Sequence, residues 1–131
     1  MFNSFGQTET TYGGGKNIWH EIKGQFPIGG TIDPSSYSEG DVIPAGSMCY
    51  LDESAHTITV VKKADTTNLT KVNGLLMNDV VVDANAKGTN GNLTGSVVFA
   101  GEIYIDRVPA TDKDEATIKS NLPMIQMIHE A

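Results

Sequence analysis

The chain of 131 residues is 39% hydrophobic and 19% charged, the balance of a single globular domain able to bury about two-thirds of its unfolded surface. A formal charge of -7 with one arginine, Arg107, excludes a protein that grips nucleic-acid phosphates, and no apolar run approaches the ~18 residues of a membrane helix. With Cys49 as the single cysteine an intrachain disulfide is excluded as well, and 14 glycines among many Thr, Asn and Val favour strands and turns over helices.

Residues 1–17 are polar and glycine-rich, with Gly13, Gly14 and Gly15 in succession, and read as an arm. The start, MFNSFGQTET, has neither the basic region nor the apolar run of a signal peptide, so synthesis without export is expected. Ile18, Trp19, Ile22, Phe26 and Ile28 then form a segment richer in large apolar groups than a linker. Its residues leave open whether Trp19 and Phe26 pack on the domain's own core or dock on a partner, as aromatic anchors do. Gly29-Gly30 and Asp33-Pro34-Ser35-Ser36 punctuate the chain, which places an extended arm over 1–30 and a β-rich domain over 31–131. Acids and bases cancel within the first 30 residues, so the negative excess belongs to the body.

The body opens on Gly40–Tyr50, GDVIPAGSMCY, a hairpin-like corner in which Pro44 sets the first turn dihedral and Gly46 closes the turn. Cys49, between Met48 and Tyr50, reads as a buried and inert thiol. Thr57–Val61 predicts a strand and 62–70 a loop; Val72–Val82 is open to a turn-bounded pair of short strands or one helical turn around GLLM, and the turn formers Asn73-Gly74 and Asn78-Asp79 favour the strands. Asp83–Gly95 reads as a polar loop. Ser96–Val108 is the clearest strand signal, with Ile103 and Ile105 alternating against Glu102, Tyr104 and Asp106, and Gly101 predicts a bend that splits it. Thr111–Leu122 predicts a helix capped by Thr111 or Asp112, with Ala116, Ile118 and Leu122 inward; Pro123 stops it, and Met124–Ile128 returns to the sheet. The fold expected is mainly β, a small barrel-like domain with one short C-terminal helix.

Chemistry is sparse. His20, His56 and His129 stand in no metal-ligand spacing, and GGGK at 13–16 has Thr10 and Asn17 where a phosphate-binding loop needs Gly and Ser or Thr. Gly88, Gly91 and Gly95 open no helix, the 83–92 loop lacks the alternating acids of a calcium hand, and the N-x-T triplets at Asn68 and Asn92 carry no meaning without export. No catalytic residue, cofactor or metal is expected.

Three segments together resemble the small head decoration proteins of tailed bacteriophages and the related bases of head-fibre proteins: VIPAGS at 42–47, VNGLLMNDV at 72–80, and SVVFAGEIYIDRVP at 96–109 before a helix. The similarity covers about residues 40–131. It implies a barrel of the β-clip or β-tulip type, a homotrimer seated on the outside of the capsid, the major capsid protein as partner, and an N-terminal arm that orders on the shell. It also implies a structural virion protein made in the bacterial cytoplasm, with neither nucleic acid nor membrane as partner and no enzymatic activity. On this resemblance Tyr12, Ile18, Trp19, Ile22 and Phe26 are the expected capsid-gripping residues, and Pro44, Gly46 and Gly101 are structural. The longer, more apolar start keeps a head-fibre base with a host-surface or glycan-binding role as the alternative.

Overall fold

In the computed structural model, which describes residues 18–84 and 93–130, β-branched runs bounded by Gly, Pro, Asn and Asp become strands, as their stiff side chains favour. In chain order they are β1 (Trp19–Gln25), β2 (Gly30–Ile32), β3 (Val42–Ile43), β4 (Met48–Asp52), β5 (Thr57–Val60), β6 (Gly74–Leu76), β7 (Val80–Val81), β8 (Leu93–Gly95), β9 (Val97–Tyr104) and β10 (Ile125–Ile128). One α-helix, α1 (Glu115–Asn121), stands before β10 among the described residues. The fold is mainly β, a curled half-barrel sheet with one short helix, as the composition leads one to expect.

The main sheet runs β1-β9-β6-β4-β5-β2-β8, with β10 laid parallel against β9. β1 and β2 are consecutive in the chain, as are β8 and β9, yet each pair is divided between opposite ends of this order. The two ends are halves of one long antiparallel ribbon. Trp19 lies opposite Ile103 and Gln25 opposite Val98 in the first half, Gly30 opposite Gly95 and Ile32 opposite Leu93 in the second. Between them the Phe26 amide donates to the Val97 carbonyl at 3.0 Å. Because the first half meets β6 and the second meets β5, bending the ribbon curls the sheet.

Adjacent residues of the central strands feed different cores. Met48, Leu75 and Val98 join Trp19, Ile103, Ile118 and Leu122 in one buried cluster; Cys49, Leu76 and Val97 join Ile32, Ile43, Ile58 and Val82 in another. β4, β6 and the first half of β9 are thus covered on both faces, which is why residues 48–51, 74–76 and 97–100 read as continuous apolar runs, while alternation begins only beyond Gly101. Cys49 is fully buried, and burial pushes its thiol up to about 12, in keeping with an inert group.

Several expectations change. The stretch 18–30, assigned to an arm, is β1, the ribbon bend and the start of β2, so the domain begins by Ile18 and not at residue 31. The corner at 40–50 is a crossover and not a hairpin: β3 pairs with β7, whereas β4 pairs with β5 and β6. The polar 83–95 stretch ends in β8. Its Gly88 and Gly91, like Gly13–Lys16 and Tyr12, fall outside the described residues. The helix starts later than expected because Asp112 is buried against Lys62, Oδ1 to Nζ 2.6 Å, and Lys113 is extended; Asp114 precedes the first turn and accepts from the Thr117 hydroxyl at 2.6 Å. Ala116 faces outward, while Ile118 and Leu122 are buried as expected.

β9 does not break at Gly101; its partner changes there, from β6 at Val97 and Val98 to β10 at Gly101–Tyr104. A side chain at Gly101 would place its Cβ 2.5 Å from the Glu21 carbonyl oxygen, at a φ of +156. Gly101→Ala is therefore expected to destabilise the fold by about 2–3 kcal/mol, read as a lowered urea midpoint at unchanged slope. An unchanged midpoint would show that β1 and β9 do not approach this closely.

Candidate interaction surface

The expected gripping residues divide between core and surface. Ile18 is 6% and Trp19 8% exposed, and the Trp19 indole donates from Nε1 to the Met77 carbonyl at 2.9 Å. The Ile18 carbonyl accepts from the Tyr104 amide at 2.7 Å. These two residues are core, because the β1 register turns Trp19 toward a cavity that its ring fills and a carbonyl that its N–H satisfies. Ile22 packs half-buried on the same cluster. Phe26, half-buried, meets Phe99 with ring centroids 5.1 Å apart and planes tilted by 60°. Tyr12 lies outside the described residues. Gly46, at φ +86, has Val108 and Ile18 where a Cβ would point, and the Pro44 carbonyl accepts both the amide and the hydroxyl of Ser47.

What lies outward is a band of charge and aromatic groups across β1, β9 and the C-terminal end. His20 Nδ1 is 2.9 Å from the Tyr104 hydroxyl, and Glu102 stands 3.7 Å from His20 Nε2 and 3.5 Å from Lys23. Arg107 lies 4.4 Å from the centre of the Tyr104 ring and donates from Nε and Nη2 to Glu130 at 3.0 and 2.8 Å. Asp106 accepts from the Glu130 amide at 2.8 Å and faces His129 Nδ1 at 3.1 Å, whose Nε2 is 3.1 Å from Glu115. Each exposed pair contributes little by itself, but together they link the end of β10 to the 3-10 turn at Ile105–Arg107 and to α1.

β1 has β9 as its one strand neighbour among the described residues, so its other edge, lined by exposed Glu21, Lys23 and Gln25, has no strand beside it. Charged side chains on such an edge limit indiscriminate pairing while leaving backbone groups for a specific contact. Sequence reasoning missed His20, Tyr104, Arg107, His129 and Glu130, because their hydrogen-bond partners stand 23 to 84 residues away and no local pattern joins them. Among the described residues no group of three His, Cys, Asp or Glu is placed to hold a metal ion. No protein-family model matches the chain, and no curated protein or solved structure matches it.

Two outcomes follow from this geometry. Trp19→Phe leaves the Met77 carbonyl without its donor and is expected to cost about 1–3 kcal/mol in chemical unfolding, whereas a tryptophan on a free arm would cost nothing. At Asp106 the Glu130 amide, and after it His129, holds the carboxyl below its ordinary value. A carboxyl lowered in the folded state stabilises the fold above its unfolded pKa, and that contribution disappears as pH falls through the folded one. Hydrogen-exchange protection of Gln126–Ile128 is accordingly expected to drop on acidification below about pH 4, and in Asp106→Asn to be reduced already at neutral pH with a flatter profile. Identical profiles for the two proteins would remove Asp106 from the fastening.

Proposed function

We propose that the chain is a structural protein of a tailed-bacteriophage particle, a homotrimer that binds the outside of the capsid and stabilises the shell, with the major capsid protein as partner and no catalytic role. The β-clip type of barrel is the finer fold assignment belonging to this reading. What supports it is that the three segments carrying the resemblance meet in space. The Gly46 amide of the first donates to the Leu76 carbonyl of the second at 2.7 Å, and the Leu76 amide returns to Ser47 at 2.9 Å. Asp79 of the second accepts from the Ala45 amide at 2.7 Å. Leu75 and Leu76 in turn pair with Val98 and Val97 of the third. The resemblance thus rests on one connected unit and not on three scattered turns.

In this reading attachment belongs to residues 1–17 and to the outer ribbon surface with Phe26 and Ile22, while Ile18 and Trp19 anchor the arm's root in the domain. Three arms on one trimer multiply a modest contact through effective concentration. An acidic body turned outward keeps particles apart.

Co-sedimentation with undecorated capsids tests the reading. The full chain is expected to pellet with the shell, and a chain starting at Ile18, which keeps every described strand, to lose most of that binding. A full chain that stays in the supernatant would overturn the capsid assignment; undiminished pelleting of the shortened chain would move attachment from the arm to the ribbon surface. Deletion through residue 28 would remove β1 and report unfolding instead.

A further inference from the structure

An open cleft of about 690 Å³ lies where the β1–β2 and β8–β9 strands bend together. Thr31, His56, Asn78, Asp79, Thr94 and Ser96 supply its polar lining. Its floor is backbone: a Cβ on Gly29 would collide with the Gly95 carbonyl, and one on Gly30 would lie 2.9 Å from the His56 carbonyl. His56 closes the turn between β4 and β5 with a φ of +56, the single non-glycine residue in that conformation among the described residues. Such a residue costs on the order of 1 kcal/mol where glycine would cost none, and it stands on the edge of the cleft. The turn is held firmly, since Asp52 Oδ1 accepts from the Ser54 and Ala55 amides, the His56 amide donates to the Asp52 carbonyl at 2.7 Å, and the His56 carbonyl accepts from Thr31 at 3.0 Å.

The chemistry of the lining narrows the ligand. The side chains of Thr31, His56, Asn78, Thr94 and Ser96 hold no protein hydrogen bond among the described residues, so their donors and acceptors are available together. Asp79 is positioned by the Ala45 amide through Oδ1 and keeps a second carboxylate oxygen for a ligand. Among the described residues neither Lys nor Arg lines the cleft, which disfavours phosphate or sulfate, and the one carboxylate among them is too few for a hard cation. Ile28, 61% exposed, and Val80 add an apolar flank. A mixed set of hydroxyl, amide, imidazole and carboxylate groups beside an aliphatic flank suits a molecule whose hydroxyls both donate and accept while one face presents C–H groups. We infer that this cleft binds a neutral saccharide unit.

The inference stands apart from capsid binding and is tested on the isolated full-length chain. The ¹⁵N-labelled protein is titrated with glucose, galactose, mannose, N-acetylglucosamine and their linear trisaccharides, followed by NMR. Expected are saturable shifts of the Thr31, His56, Asn78, Thr94 and Ser96 amides with at least one sugar, in the millimolar range or tighter. A trisaccharide that binds more tightly than its monosaccharide identifies a glycan chain as the natural ligand; equal affinity identifies a free sugar. Asn78→Ala, on the exposed rim, and Asp79→Asn, which keeps an acceptor for Ala45, are each expected to weaken binding about tenfold or more, while Thr59→Ala on the exposed face of β5 leaves it unchanged. Absence of saturable shifts with every sugar, or the same affinity in Asn78→Ala as in the natural chain, overturns the proposal; the second criterion holds even if Asp79→Asn fails to fold.

Discussion

Along the ribbon of β1–β2 and β8–β9, glycines stand where a side chain would strike the opposite backbone: Gly101 against the Glu21 carbonyl, Gly29 against that of Gly95. This close approach lets one two-stranded ribbon bend and supply both ends of the main sheet, so that the strands between them curl. An ordinary side chain at either site would force the two backbones apart. The conformational freedom surrendered by these glycines on folding is offset by the apolar surface that the curled sheet encloses.

Curvature in turn explains how a chain of this size maintains two buried clusters. Leu75 and Leu76, like Val97 and Val98, point to opposite sides of the sheet and both find cover, one side beneath α1 and β1, the other beneath β2 and β3 with β7. A flat sheet of the same strands would expose one of each pair. The short helix depends on this arrangement as well. Seven residues are too few for a stable helix in water, so burial of Ile118 and the bonds from the Asn121 side chain to the Leu69 and Val72 carbonyls hold it.

The same constraint distributes the surface. The band running from Lys23 to Glu115 lies outward across β1, β9 and the C-terminal end, Phe26 meets Phe99 where the ribbon begins to bend, and at the bend itself the strands border the cleft with the Asn78–Val80 segment. The charged band and the cleft therefore lie at different places on one curled sheet, and the proposed capsid and saccharide contacts make separate demands on it.

Local pattern determined much of the architecture. β-branched runs, Pro44 and Gly46, the stop at Pro123 and the alternation around Ile103 are decided by neighbours in the chain, and strands do form over 57–60, 74–81 and 97–104, although β4 runs on to Asp52 and the strand expected to reach Val108 gives way after Tyr104 to a 3-10 turn. Cys49 could be read as buried because apolar residues surround it on its own strand. Tertiary structure alone decided which strands pair, that Trp19 is buried in the core, and that Asp112 joins Lys62 and does not cap a helix. Side-chain type states what a residue can bury or bond, whereas its actual partner depends on register and curvature, which are set by backbone approaches between residues as far apart as Glu21 and Gly101. The cleft at His56 and the band from Lys23 to Glu115 were illegible for the same reason: their members are assembled by the fold from segments with no shared local signal.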